Sequence, residues 1–248
     1  MPHETRLIMG MPVCVAIHDA AATLQDMDAV FRIFTNADRR FSPFRPDSEL
    51  SHLNRREIAP EECSDSMHEI LALAEETRIQ SNGYFDIRRP DGTLDPCGIV
   101  KGWAINKAAE ELARRGLGDF FIDAGGDIQA CGRNAKGAEW CIGIRNPFQA
   151  KEIVKVLYPR GAGVATSGNY LRGPHIYNPY APEAPLDEVV SLTVIGPDIL
   201  DADRFATAAF AMGREGIVFI ERLAGFEAYE IDAGGTARMT SGLGHYLS

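Results

Sequence analysis

From residue 120 onward, the strand-like runs of this chain follow one another with almost no helix between them. Phe120–Ile122, Trp140–Ile144, Ile153–Tyr158, Gly163–Thr166 and Glu188–Ile195 come in series, the last rich in Val, Thr and Ile. Strict strand–helix–strand alternation would build a parallel sheet. Strands in series broken by few helices predict instead an α+β fold of mainly antiparallel sheet with packed helices.

The other elements fit around that sheet. Leu7–Ile17 reads as a strand interrupted near its start by Met9-Gly10-Met11-Pro12. Leu24, Met27, Val30, Phe31 and Phe34 recur at helical spacing and predict a helix over 21–34. Residues 41–54 read as loop, holding Pro43, Pro46 and Ser48-Glu-Leu-Ser51. Ser66 and Glu69 form a capping-box pattern for a helix that reaches about Gln80 and breaks at Asn82-Gly83. A glycine-rich start at Gly98 leads into a helix that stops at Gly116. Further helices are predicted from Leu200 and over Glu215–Leu223, and a closing hairpin over Phe226–Ile231 and Thr236–Thr240. With 248 residues and no low-complexity linker, residues 1–248 are expected to form one domain.

The formal net charge of −10 argues against nucleic acid or an anionic membrane as a partner. A phosphorylated ligand would need local positive charge, from placed Lys or Arg residues or from a bound cation. The five cysteines, Cys14, Cys63, Cys97, Cys131 and Cys141, include no CxxC pair, so reduced thiols are expected rather than a disulfide framework or zinc knuckle. The N-terminal residues have no basic and apolar leader pattern, and no run approaches a membrane span. The expectation is a cytoplasmic chain without membrane insertion.

Asp203 and Thr207 stand four apart in Asp201-Ala-Asp203-Arg-Phe-Ala-Thr207-Ala-Ala-Phe210. On a helix they share one face and offer a carboxylate and a hydroxyl, both ligands a hard cation takes. Helix capping by the Asp and backbone bonding by the Thr account for the spacing equally well. Leu94-Asp95-Pro96-Cys97-Gly98-Ile99-Val100-Lys101-Gly102-Trp103 combines flexible backbone, a helix start and a lysine, as an anion site would or as a tight turn would. Asp123-Ala-Gly125-Gly126-Asp127 is either a turn or a backbone surface for a flat ligand. Residues 165–179 hold Thr166, Arg172 and His175; Arg172 suits a phosphate, and nothing local assigns His175 a proton-transfer role. Phe41-Ser42-Pro43-Phe44 offers aromatic surface for a planar ring or for a core. One ligand would use all of these: a flat ring, a ribose and a pyrophosphate with a cation.

In this order, the segments resemble the FAD:protein FMN transferase (ApbE) family. The likeness runs from Met9-Gly10 through Phe41-Ser42, Ser48-Glu-Leu-Ser51 and Gly83-Tyr-Phe-Asp86 to Leu94-Asp95 and Gly102-Trp103. It continues through Asp123–Asp127, Ala165-Thr-Ser-Gly168, His175-Ile-Tyr-Asn-Pro179, Ser191–Val194 and Ala202–Ala208. The resemblance implies an α+β fold of two T-fold-like motifs and Mg²⁺-dependent transfer of FMN from FAD to a Thr or Ser of an acceptor flavoprotein, with release of AMP. It implies metal ligation by Gly98 (through its carbonyl), Asp203 and Thr207, the last two also catalytic. It implies an FAD site of Met9, Phe44, Tyr84, Phe85, Asp86, Asp95, Lys101, Thr166 and His175. An FAD pyrophosphatase or a non-catalytic FAD-binding protein on the same scaffold is the alternative. This chain departs from the family's usual pattern in having eight residues between Asp86 and Asp95, Phe at 44 and Arg at 88.

Overall fold

In the computed structural model, which describes residues 3–149, 151–169 and 176–247, Met9-Gly10 reverses the chain instead of interrupting a strand. Met9 (φ 55°) and Gly10 (φ 71°) both take left-handed backbone, as the centre of a two-residue hairpin turn requires. The single strand expected over Leu7–Ile17 is therefore two, β1 (His3–Ile8) and β2 (Met11–Ile17), paired antiparallel with Ile8 opposite Met11.

Four helices follow: α1 (Leu24–Phe41), α2 (Glu49–Asn54), α3 (Asp65–Gln80) and α4 (Cys97–Arg114). Thr23 and Asp26 cap α1 reciprocally, the Thr23 amide donating to Asp26 Oδ2 at 2.8 Å and the Asp26 amide to Thr23 Oγ1 at 3.3 Å. The helix outruns its predicted end because its apolar face continues through buried Ala37 and Phe41. Residues 41–54, expected as loop, include α2, started by Ser48 accepting from the Ser51 amide. The cap of α3 is Ser64, not Ser66. Glu49 accepts from the Ser64 amide and hydroxyl and fixes it there, while Ser66 accepts from Arg40.

The chain then makes β3 (Phe120–Ala124), β4 (Asp127–Cys131), a small separate hairpin of β5 (Ile142–Arg145) and β6 (Ile153–Leu157), then β7 (Gly163–Gly168) and β8 (Val189–Gly196). Next come α5 (Ile199–Ala211) and α6 (Gly216–Glu221), and β9 (Glu227–Asp232) with β10 (Ala237–Met239) close the main sheet. Among the described residues that sheet runs β1-β2-β3-β4-β7-β8-β9-β10 with antiparallel neighbours. Each half repeats one pattern, two strands, helix, two strands, with α4 central to the first half and α5 to the second. The fold is thus mixed helix and antiparallel sheet, in two like motifs.

Side-chain alternation along the strands separates two cores. Ala165, Leu192, Val194 and Ala228 face the helices, whereas Val164, Ile195, Tyr229 and Ile231 pack with Ile142, Ile144 and Leu157 of the β5–β6 hairpin. The helix-side core is closed by the crossing of α4 on α5. A Cβ on Gly102 would lie 2.7 Å from Asp203 Cβ and 2.9 Å from the Ile199 carbonyl, so this approach requires glycine. Ala202, Ala206 and Ala209 are small buried residues of α5. Among the described residues no helix is long and apolar enough to cross a membrane.

Candidate functional site

The α4–α5 crossing sets the start of one helix against the middle of the other. Asp198 caps α5 by accepting from the Asp201 amide at 2.9 Å, which leaves Asp203, in the second turn, free of that duty. Asp203 is buried; its Oδ2 accepts from the Gly102 amide at 2.7 Å, and its Oδ1 faces Lys101 Nζ at 3.4 Å. One turn on, the Thr207 hydroxyl reaches across to the Gly98 carbonyl at 3.5 Å, so its partner lies on another helix. A Cβ on Gly98 would come within 3.1 Å of Thr207 Cγ2 and of the Phe85 ring. The glycine keeps the carbonyl and hydroxyl together.

Lys101 also contacts Asp127 Oδ2, making a buried Asp–Lys–Asp group at the base of the site. Asp127 opens β4 and accepts from the Thr166 amide of β7 at 3.0 Å, while the Thr166 hydroxyl bonds that of Thr193 at 2.9 Å. Burial pushes the Asp203 carboxyl up, with Lys101 opposing and Asp127 adding to the rise. The two acids of Asp123–Asp127 have different partners. Asp123 orders the turn, accepting from the Gly126 amide at 2.7 Å, and Asp127 reaches Lys101. Burial raises the Asp123 carboxyl, against the lowering effect of that amide.

A cavity of about 1170 Å³ opens from this base, and Met9, Phe44, Tyr84, Phe85, Asp86, Asp95, Gly98, Lys101, Thr166, Asp203 and Thr207 all line it. Phe85 is buried, whereas Phe44 stands at the rim, 87% exposed. Asp86 accepts from the Arg88 amide at 2.8 Å. Asp95 is opposed by burial, yet bonds from Cys97 and the Arg89 guanidinium hold its carboxyl below the ordinary value. His175 and Arg172 lie outside the described residues. Sequence reasoning gave no role to Arg89, Arg145 or Tyr177, which also line the cavity. Tyr177 stands inside the His175-Ile-Tyr-Asn-Pro179 segment already singled out, whereas Arg89 and Arg145 carry no local mark, because only the fold brings them to the cavity.

The donor set suits a hard divalent cation, since carbonyl, hydroxyl and carboxylate are all oxygen ligands. Two oxygens each about 2.1 Å from one Mg²⁺ can lie up to about 4.2 Å apart, and Thr207 Oγ1 is 3.5 Å from Gly98 O. Among the described residues no cluster of three His, Cys, Asp or Glu forms a rival metal site.

The model of the ApbE family matches residues 9–89 and 88–230. The FAD:protein FMN transferase of Vibrio cholerae is 30% identical over 135 residues, 51% of this chain and 40% of the relative. That of Escherichia coli K12 is 26% identical over 195 residues, 74% of this chain and 56% of the relative. The chain thus spans about half the length of the curated relatives it matches. Among solved structures, the flavin transferase ApbE of Vibrio cholerae superposes with a TM-score of 0.86 at 22% identity, covering 99% of each chain. The ApbE protein of Thermotoga maritima gives 0.87 at 18% identity, covering 100% of this chain and 99% of its own. At these identities the likeness is one of fold.

Proposed function

The chain belongs to the ApbE family, and from that premise we propose that it moves FMN from FAD to a Thr or Ser hydroxyl of an acceptor flavoprotein, releasing AMP. The observation that carries this reading is the convergence, in one cavity, of the α4–α5 oxygen cluster with Lys101 and an aromatic wall. We place Mg²⁺ at Gly98 O, Asp203 and Thr207, where it would polarise the pyrophosphate and offset charge as the P–O bond breaks.

The chain's own residues do the rest. Asp203 and Thr207 are the catalytic pair, held on one face of α5. Lys101 is positioned by Asp127 and Asp203 toward the phosphates. Tyr84, Phe85 and Phe44 offer ring surface, Asp86, Asp95 and Thr166 offer polar contacts, Met9 holds the turn at the cavity edge, and His175 belongs to the same FAD site. The acceptor hydroxyl gives up its proton to solvent as its oxygen attacks the FMN-side phosphorus, the P–O bond to the bridging oxygen breaks, and AMP leaves with that oxygen. We further propose that residues 1–248 act as one domain and that the chain works in the cytoplasm, without nucleic acid or membrane insertion. Five free cysteines support a reducing compartment.

The test is incubation with FAD, Mg²⁺ and a candidate acceptor. Flavin fluorescence on the acceptor band after denaturing electrophoresis supports transfer. FMN and AMP free in solution would show hydrolysis instead, and tight FAD binding with neither product would leave a binding protein.

A further inference from the structure

One wall of the cavity is fastened from outside it. Ile176, Tyr177 and Pro179 line the cavity, while Tyr180 stands beyond the lining and is 67% exposed. Its hydroxyl donates to the Asn82 carbonyl at 2.5 Å, and its ring meets that of Tyr84 edge-on, 5.1 Å between centroids. Asn178 Oδ1 accepts from the Tyr180 amide at 2.9 Å and sets the local turn. The Tyr177 hydroxyl donates to the Arg88 carbonyl at 3.3 Å. These two tyrosine contacts bracket residues 84–87, all of which line the cavity.

The other side of the joint is built to receive a phenol. Asn82 (φ 51°) and Gly83 (φ 82°) both take left-handed backbone at the end of α3. A Cβ on Gly83 would lie 2.6 Å from the Tyr180 hydroxyl oxygen, so any other residue there would displace the ring. The Asn-Gly pair therefore ends the helix and clears the seat as well.

We propose that Tyr180, seconded by Tyr177, is a positioning residue: it braces residues 82–88 against residues 176–180 and so fixes the aromatic wall made by Tyr84 and Phe85. The identity of the ligand that uses the wall rests on the flavin reading; the brace does not. A preformed wall binds a flat ring more tightly because less ordering is left to the binding step.

Tyr180→Phe removes the hydroxyl and keeps the ring, and Tyr180→Ala removes both. Amide hydrogen exchange on the ligand-free proteins, with FAD affinity by fluorescence quenching, reads the effect. Tyr180→Phe is expected to speed exchange at residues 84–88 while the β8 amides stay unchanged. It should weaken FAD binding about 3–10-fold, the range for one hydrogen bond, with KM for FAD rising more than kcat falls. Tyr180→Ala should exceed it on every reading. Unchanged exchange at 84–88, faster exchange throughout the chain, or unchanged FAD affinity in a protein that binds FAD would each overturn the brace. Faster exchange at 84–88 in a chain whose wild type fails to bind FAD would uphold the brace and overturn the flavin reading.

Discussion

Thr207 is where the metal assignment meets its sharpest test, because Val copies its shape and removes only the oxygen. Thr207→Val is expected to fold normally and to weaken Mg²⁺ binding, titrated calorimetrically with FAD present, by at least about 10–100-fold, the range seen when groups supporting a metal are lost. Turnover should fall in step; equal Mg²⁺ affinity in the two proteins sinks the assignment. Asp203→Asn preserves an acceptor for the Gly102 amide but removes the charge, so it should abolish turnover while the fold survives. The Asp203/Thr207 pair was legible in the sequence because helical spacing is a side-chain pattern. The Gly98 carbonyl carries no such mark, since every residue has one and only the α4–α5 crossing chooses it. Asp127 was visible as a turn acid, but its contact with Lys101 depends on β4, a strand absent from the sequence reading.

The helices and strands were legible where one face is buried and obscure where a turn decides the outcome. The serial strands gave the antiparallel sheet directly, whereas the Met9-Gly10 reversal hid because Met is rare in left-handed backbone. Three predictions belong to this scale. Gly102→Ala forces a Cβ against Asp203 Cβ and the Ile199 carbonyl, and overpacking of this kind costs about 1–3 kcal/mol. The urea midpoint should drop accordingly, and a wild-type midpoint would show that the helices can part without cost. At the start of α1, Thr23→Ala should cost about 1 kcal/mol of stability, the usual worth of an N-cap. That cap has a pH signature. Hydrogen bonds from Thr23, then from Arg115, lower the Asp26 carboxyl from 3.8 to about 2. A carboxyl depressed by folding contributes stability that is present above its ordinary value and is lost as pH falls from about 4 toward 2. The gap in urea midpoint between wild type and Asp26→Asn should therefore be full at pH 7 and small at pH 2. A gap that persists at pH 2 would assign the effect to shape rather than charge.

At the scale of the whole molecule, charge decides what the cavity can hold. Its described lining has Arg45, Arg89, Arg145 and Lys101 against Asp38, Asp86, Asp95, Asp123 and Asp203, four cations to five carboxylates. Several of those cations are already engaged, Arg89 with Asp95 and Lys101 with Asp127 and Asp203. In a chain of net charge −10, the proposed pyrophosphate would add negative charge to a site with no surplus of positive. Sequence totals implied that a phosphorylated ligand would need local positive charge, from placed Lys or Arg residues or from a bound cation. They could not locate it, because which acids share one cavity is set by the end of the sheet where the Met9 and Gly125 turns meet the α4–α5 crossing. The consequence is linkage between two ligands: FAD should bind well only with a divalent cation present. A ligand at one hundred times its Kd adds about 2.7 kcal/mol to stability, or about 5–10 °C in melting temperature for a chain of this size. FAD with Mg²⁺ is expected to give a shift of that order in a thermal melt, and FAD with EDTA less than half of it. Because the coupling is reciprocal, Mg²⁺ alone should shift the melt little, and FAD should tighten its binding by the same factor. Equal shifts with and without EDTA would mean that the pyrophosphate is neutralised by arginine and lysine alone, and the oxygen cluster at Gly98, Asp203 and Thr207 would then need another role.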